Sequence, residues 1–173
     1  APELLTVHER MIRALEREGV LNRALEGLPD DEEIHTRLQA GQGLTSPELC
    51  VLLAYAKISL TSALDGSGLA DEPYFAAMLP SYFPTALRER YAAAMTAHPL
   101  RRDIVTTMVA NHLVNLGGIT FAFRAMEETG ASAAAVVRAA AAAIAVFDLD
   151  AIRSEEHTSE LPVTSLSRMP SSA

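Results

Sequence analysis

The chain has 173 residues, of which 49% are hydrophobic and 21% charged, the balance of a soluble domain with enough apolar side chain for one sizeable core. Its formal net charge is −8 and its longest basic run is the pair Arg101 and Arg102, which excludes the electrostatic footprint of a nucleic-acid binder. A single cysteine, Cys50, rules out an internal disulfide, suits a reducing compartment, and reads as a buried structural thiol.

Leu4, Leu5, Met11, Ile12 and Leu15 put an apolar stripe on a first helix, with Gly19 placed to end it. A short turn over Val20 to Leu25 comes next. Asp30 as N-cap and Glu33 three residues on predict a helix to about Ala40, before the Gly41-Gln42-Gly43 break. The next stretch, Thr45 to Leu64, is expected to be the central helix. Thr45 and Glu48 have capping-box spacing, Leu44 and Leu49 form a hydrophobic staple, and Pro47 falls in the first turn, where a missing N–H costs nothing. Leu49, Leu52, Leu53, Ala56, Leu60, Ala63 and Leu64 mark its inward face. With Cys50, Val51, Ala54 and Tyr55 filling the opposite side, burial nearly all round is expected.

Asp65-Gly66-Ser67-Gly68 reads as a loop, and Asp71 with Pro73 predicts a short helix stopped by Pro80. Another is expected from Pro84 to His98-Pro99. From Pro99 to Leu116 the apolar positions again have helical period, Gly117-Gly118 breaks it, and Ile119 to Glu128 resumes as helix up to Gly130. Ser132 then caps an alanine-rich helix reaching Phe147, and Asp148 is expected to cap a last, truncated helix. No alternating strand run is found. The expected fold class is therefore all-α, a single orthogonal or antiparallel bundle-like domain over 1–152. The most apolar stretch, Ala131 to Phe147, is too short and too alanine-rich for a membrane helix, and Glu3, His8, Glu9 and Arg10 interrupt any secretory signal. A cytoplasmic protein without membrane contact is expected. The opening Ala-Pro, without an initiator Met, suggests a piece of a longer product.

Few residues suggest chemistry. Gly41-Gln42-Gly43 is half a dinucleotide fingerprint, but it follows a helix and lacks the third glycine. Glu32 and His35 have the Glu-x-x-His spacing of di-iron bundles without the second pair that such a site needs, so Asp31, Glu32 and Glu33 read as a solvated first turn. No Ser/His/Asp, Cys/His or zinc-type arrangement is present. Catalytic, cofactor-binding and metal-ligating residues are thus expected to be absent. Four residues are candidates for interdomain or buried polar contacts. Asn111 and Asn115 share a face with Ile104 and Met108, and buried amides would fix a register against a neighbour. Lys57 borders the apolar face of the central helix, where its default is to reach water. Arg124 most simply pairs along its own helix with Glu127 or Glu128.

Four segments in succession, LEREGVLNRALEGLP, GLTSPELCVLLAYAKISL, SYFPTALRERY and NHLVNLGGITFAFRAMEETGAS, resemble the C-terminal region of the large bacterial NAD-specific glutamate dehydrogenases. The resemblance runs from about Ala1 to Ile152, with Ser46 standing where that family more often has arginine. It implies a parent that oxidatively deaminates L-glutamate with NAD, in catalytic and dinucleotide-binding domains upstream of this region, and that assembles as a homo-oligomer. No catalytic or cofactor residue of the family can be placed on this chain. The segment is accordingly expected to be non-catalytic, with a packing or oligomerisation role and no cofactor of its own. The rival reading is an independent helical protein-interaction module. Beyond Ile152 the resemblance stops. Arg153 to Leu161, RSEEHTSEL, looks like the translation of a sequencing adapter, and 153–173 is expected to be a non-native, disordered tail.

Overall fold

A computed structural model describes residues 2–152. Among these residues there are ten α-helices and one 3-10 turn, and no strand. The all-α class is as the sequence implies. Expectations about 153–173 lie outside the described residues.

Helix α1 (Pro2–Arg17) buries Leu5, His8, Met11, Ile12 and Leu15, and Gly19 lies just beyond it at a φ of +71°, a value that glycine adopts without strain. Helix α2 (Asp31–Gln39) opens where the Asp30 carboxylate accepts the Glu33 N–H at 2.8 Å. Helix α3 (Ser46–Leu64) carries the capping box, with the Thr45 N–H donating to Glu48 at 2.6 Å. It packs against α1 and, more extensively, against α8 (Arg101–Gly117). Helix α8 also meets the 3-10 turn (Leu69–Asp71), α4 (Pro73–Ala76), α5 (Leu79–Tyr82) and α9 (Phe121–Thr129). It shares the centre of the fold with α3, and its buried residues include Val105, Val109, Ala110, Leu113 and Val114.

The stripe that α3 buries is narrower than expected. Leu52, Ala56, Leu60 and Leu64 are buried, whereas Leu49 and Leu53 are half-buried and Ala63 is exposed. Cys50 is exposed too, which corrects the buried structural thiol expected from composition. The reason is geometric: α1 and α8 cover one side of α3, and a 3.6-residue period places Cys50, Ala54 and Ile58 on the other side. By length and composition α3 is apolar enough to cross a membrane, as core helices often are.

Two further boundaries differ. Pro80 lies in the first turn of α5 instead of stopping a helix, a position where proline is tolerated. The helix expected from Pro84 is two pieces, α6 (Thr85–Arg88) and α7 (Ala92–Thr96), because no buried stripe runs through Glu89-Arg90-Tyr91 to hold it straight. The Gly117-Gly118 break is as expected, and its cause is visible. Helices α8 and α9 bend by 90°, Gly118 takes a φ of +89°, and a Cβ on Gly117 would lie 2.7 Å from the Phe121 ring.

Helix α10 (Ala133–Phe147) begins where the Ser132 hydroxyl accepts the Ala135 N–H at 3.3 Å. By its internal contacts the chain divides into two compact units, one ending at Val137 and the other beginning at Arg138. In the second unit, Asp148 has a φ of +50° and a further helical turn covers 149–152.

Candidate interaction surface

Two polar clusters fasten the N-terminal helices of the first unit. The Arg37 guanidinium on α2 reaches Glu48 on α3 through two bonds, of 2.7 and 2.9 Å, and also pairs with Glu33. Both partners of the Arg37–Glu48 pair are largely buried, at 15% and 11% side-chain exposure, so the fork is a rigid strut between helices. Arg37 holds the Glu48 carboxyl below the usual glutamate range, against the opposing effect of its burial, and the Thr45 N–H adds to the lowering. Nearby, Arg23 is shared between Glu16 at 2.7 Å and Asp31 at 2.6 Å. The Tyr55 hydroxyl of α3 donates to Glu26 at 2.7 Å, which raises the phenol's pKa. In the second half of the unit, Arg101 and Arg102 of α8 clasp Asp71 at 2.6 and 2.8 Å and hold its carboxyl low.

These pairs tie neighbouring segments of the fold together, and Glu16, Arg23 and Asp31 line, with Asn22, Leu28 and Asp30, a wide-open hollow of about 580 Å³ in which the Glu16 and Asp31 carboxylates are both engaged by Arg23. An apolar pocket of about 260 Å³ lies between α5, α7 and α8, lined by Ala70, Leu79, Pro80, Met95 and Val105, with Arg101 at its edge already engaged by Asp71. Among the described residues no group of three His, Cys, Asp or Glu side chains is close enough to hold a metal ion. His35 is exposed and bonds to Gln39 at 2.9 Å, four residues along its own helix. Gly41 to Gly43 connects two helices, with no strand to present a pyrophosphate to a helix N-terminus. The described residues do not fit NAD.

The four candidate contact residues are dispersed. Arg124 is exposed and pairs with Glu128 at 3.3 Å along α9, as its spacing implies, while Glu127 reaches across to Arg10 of α1 at 3.0 Å. Lys57 is half-buried on α3. Within this chain Asn111 is half-buried and Asn115 is exposed. The stripe that α8 buries runs through Val105, Val109 and Leu113, to one side of the asparagines.

What sequence reasoning missed is His8. It sits among Leu5, Met11 and Ile12 on the buried side of α1, and its Nδ1 is enclosed without a hydrogen-bond partner. Burial lowers its pKa. An isolated histidine in an amphipathic helix gives no such signal, because its position on the stripe matters more than its neighbours in sequence.

The feature that stands out is apolar surface left open. Ile58 is 53% exposed, on the α3 face that also exposes Cys50 and Ala54. Tyr74, Tyr82, Leu87, Tyr91 and Leu100 are exposed along the short helices and the loop before α8.

Comparison with known proteins gives this surface a context. Residues 41–165 match the family described as "Glutamate dehydrogenase, C-terminal". The chain is 44% identical over 169 residues to an NAD-specific glutamate dehydrogenase of Mycobacterium tuberculosis, an alignment covering 98% of this chain and 10% of that protein. It is 46% identical over 149 residues to one from Pseudomonas aeruginosa, covering 86% and 9%. A third, from Halomonas elongata, is 45% identical over 132 residues, covering 76% and 8%. The chain therefore spans about a tenth of the length of the curated relatives it matches. The family match continues past Ile152 into the stretch that resembles a translated adapter.

Proposed function

The chain belongs to the glutamate dehydrogenase C-terminal family, and from that premise we propose that it is the C-terminal part of an NAD-dependent glutamate dehydrogenase, serving as a packing element of that enzyme. The whole enzyme would convert L-glutamate, NAD and water to 2-oxoglutarate, ammonia and NADH. The hydride transfer belongs to upstream catalytic and dinucleotide-binding domains, because a nicotinamide needs a phosphate-cradling crevice and none of the described residues builds one. The parent is read as a homo-oligomer, with this region contributing to packing against the catalytic part or to subunit contacts.

One observation carries the packing role. The longest helix of the domain, α3, exposes Cys50, Ala54 and Ile58 on the side that α1 and α8 do not cover. A helix that turns apolar residues to water on one side and buries them on the other is built to be covered twice.

The test is spectrophotometric. The 173-residue chain, incubated with L-glutamate and NAD, is expected to produce no NADH above a buffer control, whereas the full-length polypeptide produces it at a rate proportional to glutamate below saturation. Turnover by the short chain would contradict the reading. So would a full-length protein that fails to reduce NAD with glutamate.

A further inference from the structure

Between Leu79 and Met95 no side chain is buried. The stretch nevertheless contains Tyr82, Phe83, Leu87 and Tyr91, and it folds as the end of α5, all of α6 and most of α7. Helices of four or five residues have no stability of their own, since nucleation outweighs the few bonds they close. What fixes them within the chain is slight. Leu79 and Met95 anchor the two ends in the core, and Arg88 donates to the carbonyls of Phe83 at 2.9 Å and Ser81 at 3.2 Å. The Phe83 ring lies 6.1 Å from His98, the Tyr82 and Phe83 rings meet edge to face at 5.3 Å, and the Arg90 guanidinium lies over the Tyr91 ring at 5.3 Å.

Its outward surface has the composition of a binding hot spot and not of a solvated loop. Tyr82 is 59% exposed, Tyr91 44% and Leu87 40%, with Arg90 stacked beside Tyr91. Tyrosine and arginine are the residues over-represented where protein surfaces gain most from being covered. We propose that the surface of Pro80–Ala94 docks onto the part of the same polypeptide that precedes this region in the full-length enzyme, an inference that rests on the function proposed above. Length identifies the occupant. The curated relatives are about ten times as long as the segment they share with this chain, and the family is defined as C-terminal, so nearly all the remaining polypeptide lies upstream. The complementary surface should be apolar opposite Tyr82 and Leu87 and should present a carboxylate to Arg90.

The test is photo-cross-linking in the full-length enzyme. A benzophenone amino acid replaces Tyr82 in one variant and Tyr91 in another, both exposed positions that accept a bulky aromatic side chain without touching the core. After irradiation, the expected product migrates as a single chain on a denaturing gel, and its cross-linked peptide comes from upstream of this segment. A product of twice the chain mass would overturn the proposal by making this an interface between copies. A cross-link confined to residues 1–152, or none from either position, would overturn it by leaving the surface without its upstream partner. Glutamate-dependent NADH formation is measured on the same preparations. Its absence in the unsubstituted enzyme refutes the underlying functional reading, whereas activity without the expected cross-link refutes the docking alone.

Discussion

The helices α1 to α3 and the helices α4 to α7 use their apolar residues to different ends. In α1 and α3 the apolar positions recur at 3 and 4 over two turns or more, so each turns a continuous stripe inward, α2 adds Ile34, and the polar residues left over form struts such as Arg37–Glu48. In the second group the helices are four or five residues long, each can bury one side chain at most, and Phe75, Leu79 and Met95 alone are buried there. Stability and recognition therefore reside in different places. The first group buries its stripes and leaves one face of α3 open, whereas the second anchors itself by single side chains and turns Tyr74, Tyr82 and Tyr91 outward.

One acidic substitution in each group should separate them most widely. Leu52 is fully buried on α3, and Leu52→Asp removes its packing, at about 2–5 kcal/mol, and adds an unpaired carboxylate in the core. A domain with a total stability of roughly 5–15 kcal/mol should unfold or melt far lower. Tyr82→Asp, 59% exposed, should leave the melting temperature of the short chain nearly unchanged, within about 0.5 kcal/mol. Equal losses at the two sites would show that α5 to α7 have a core of their own.

A smaller effect is expected at the strut. Arg37→Met strands the largely buried Glu48 carboxylate and should cost about 1–3 kcal/mol in denaturant melts. Glu48→Gln probes the same pair through pH. The folded-state pKa of Glu48 lies below its unfolded value of 4.5, so its contribution is fully present above that pH and is lost as pH falls through the folded value. Replacing it should flatten the acid limb of the stability profile in that window. Unchanged acid sensitivity would mean that the strut is not formed in solution.

The smallest expected change concerns His8. Its folded-state pKa is depressed below 6.5 by burial, so the unfolded chain binds the proton more readily. Stability should be independent of this group above pH 6.5 and decline as pH falls through the window beneath it. His8→Leu should abolish that component and, because Nδ1 has no partner to lose, leave stability unchanged under alkaline conditions. A variant destabilised there would show that the imidazole is hydrogen-bonded.

Sequence was legible where local chemistry decides the outcome. Asp30, the Thr45/Glu48 box, Gly118 and Gly130 each act within a few residues of themselves, and all sit where their chemistry places them. It failed where the answer depends on what covers a helix. Leu52 and Leu53 are indistinguishable by type, and only the positions of α1 and α8 decide that Leu52 is the buried one. Cys50 escapes prediction for the same reason: it lies on a face whose cover comes from outside its own element. The candidate surface was hardest to read, because exposed tyrosine and buried tyrosine look alike until the rest of the fold is in place.

If Pro80–Ala94 is held in place without a core and awaits an upstream partner, its backbone should open independently of the helices around it. Amide hydrogen exchange on the short chain reads this without any substitution, by comparing 80–94 with 104–114 in α8. The segment 80–94 should exchange at least about 100-fold faster, as a stretch that opens locally without global unfolding, and 104–114 should exchange only with the whole domain. Equal protection of the two segments would contradict this division between a closed core and an open surface.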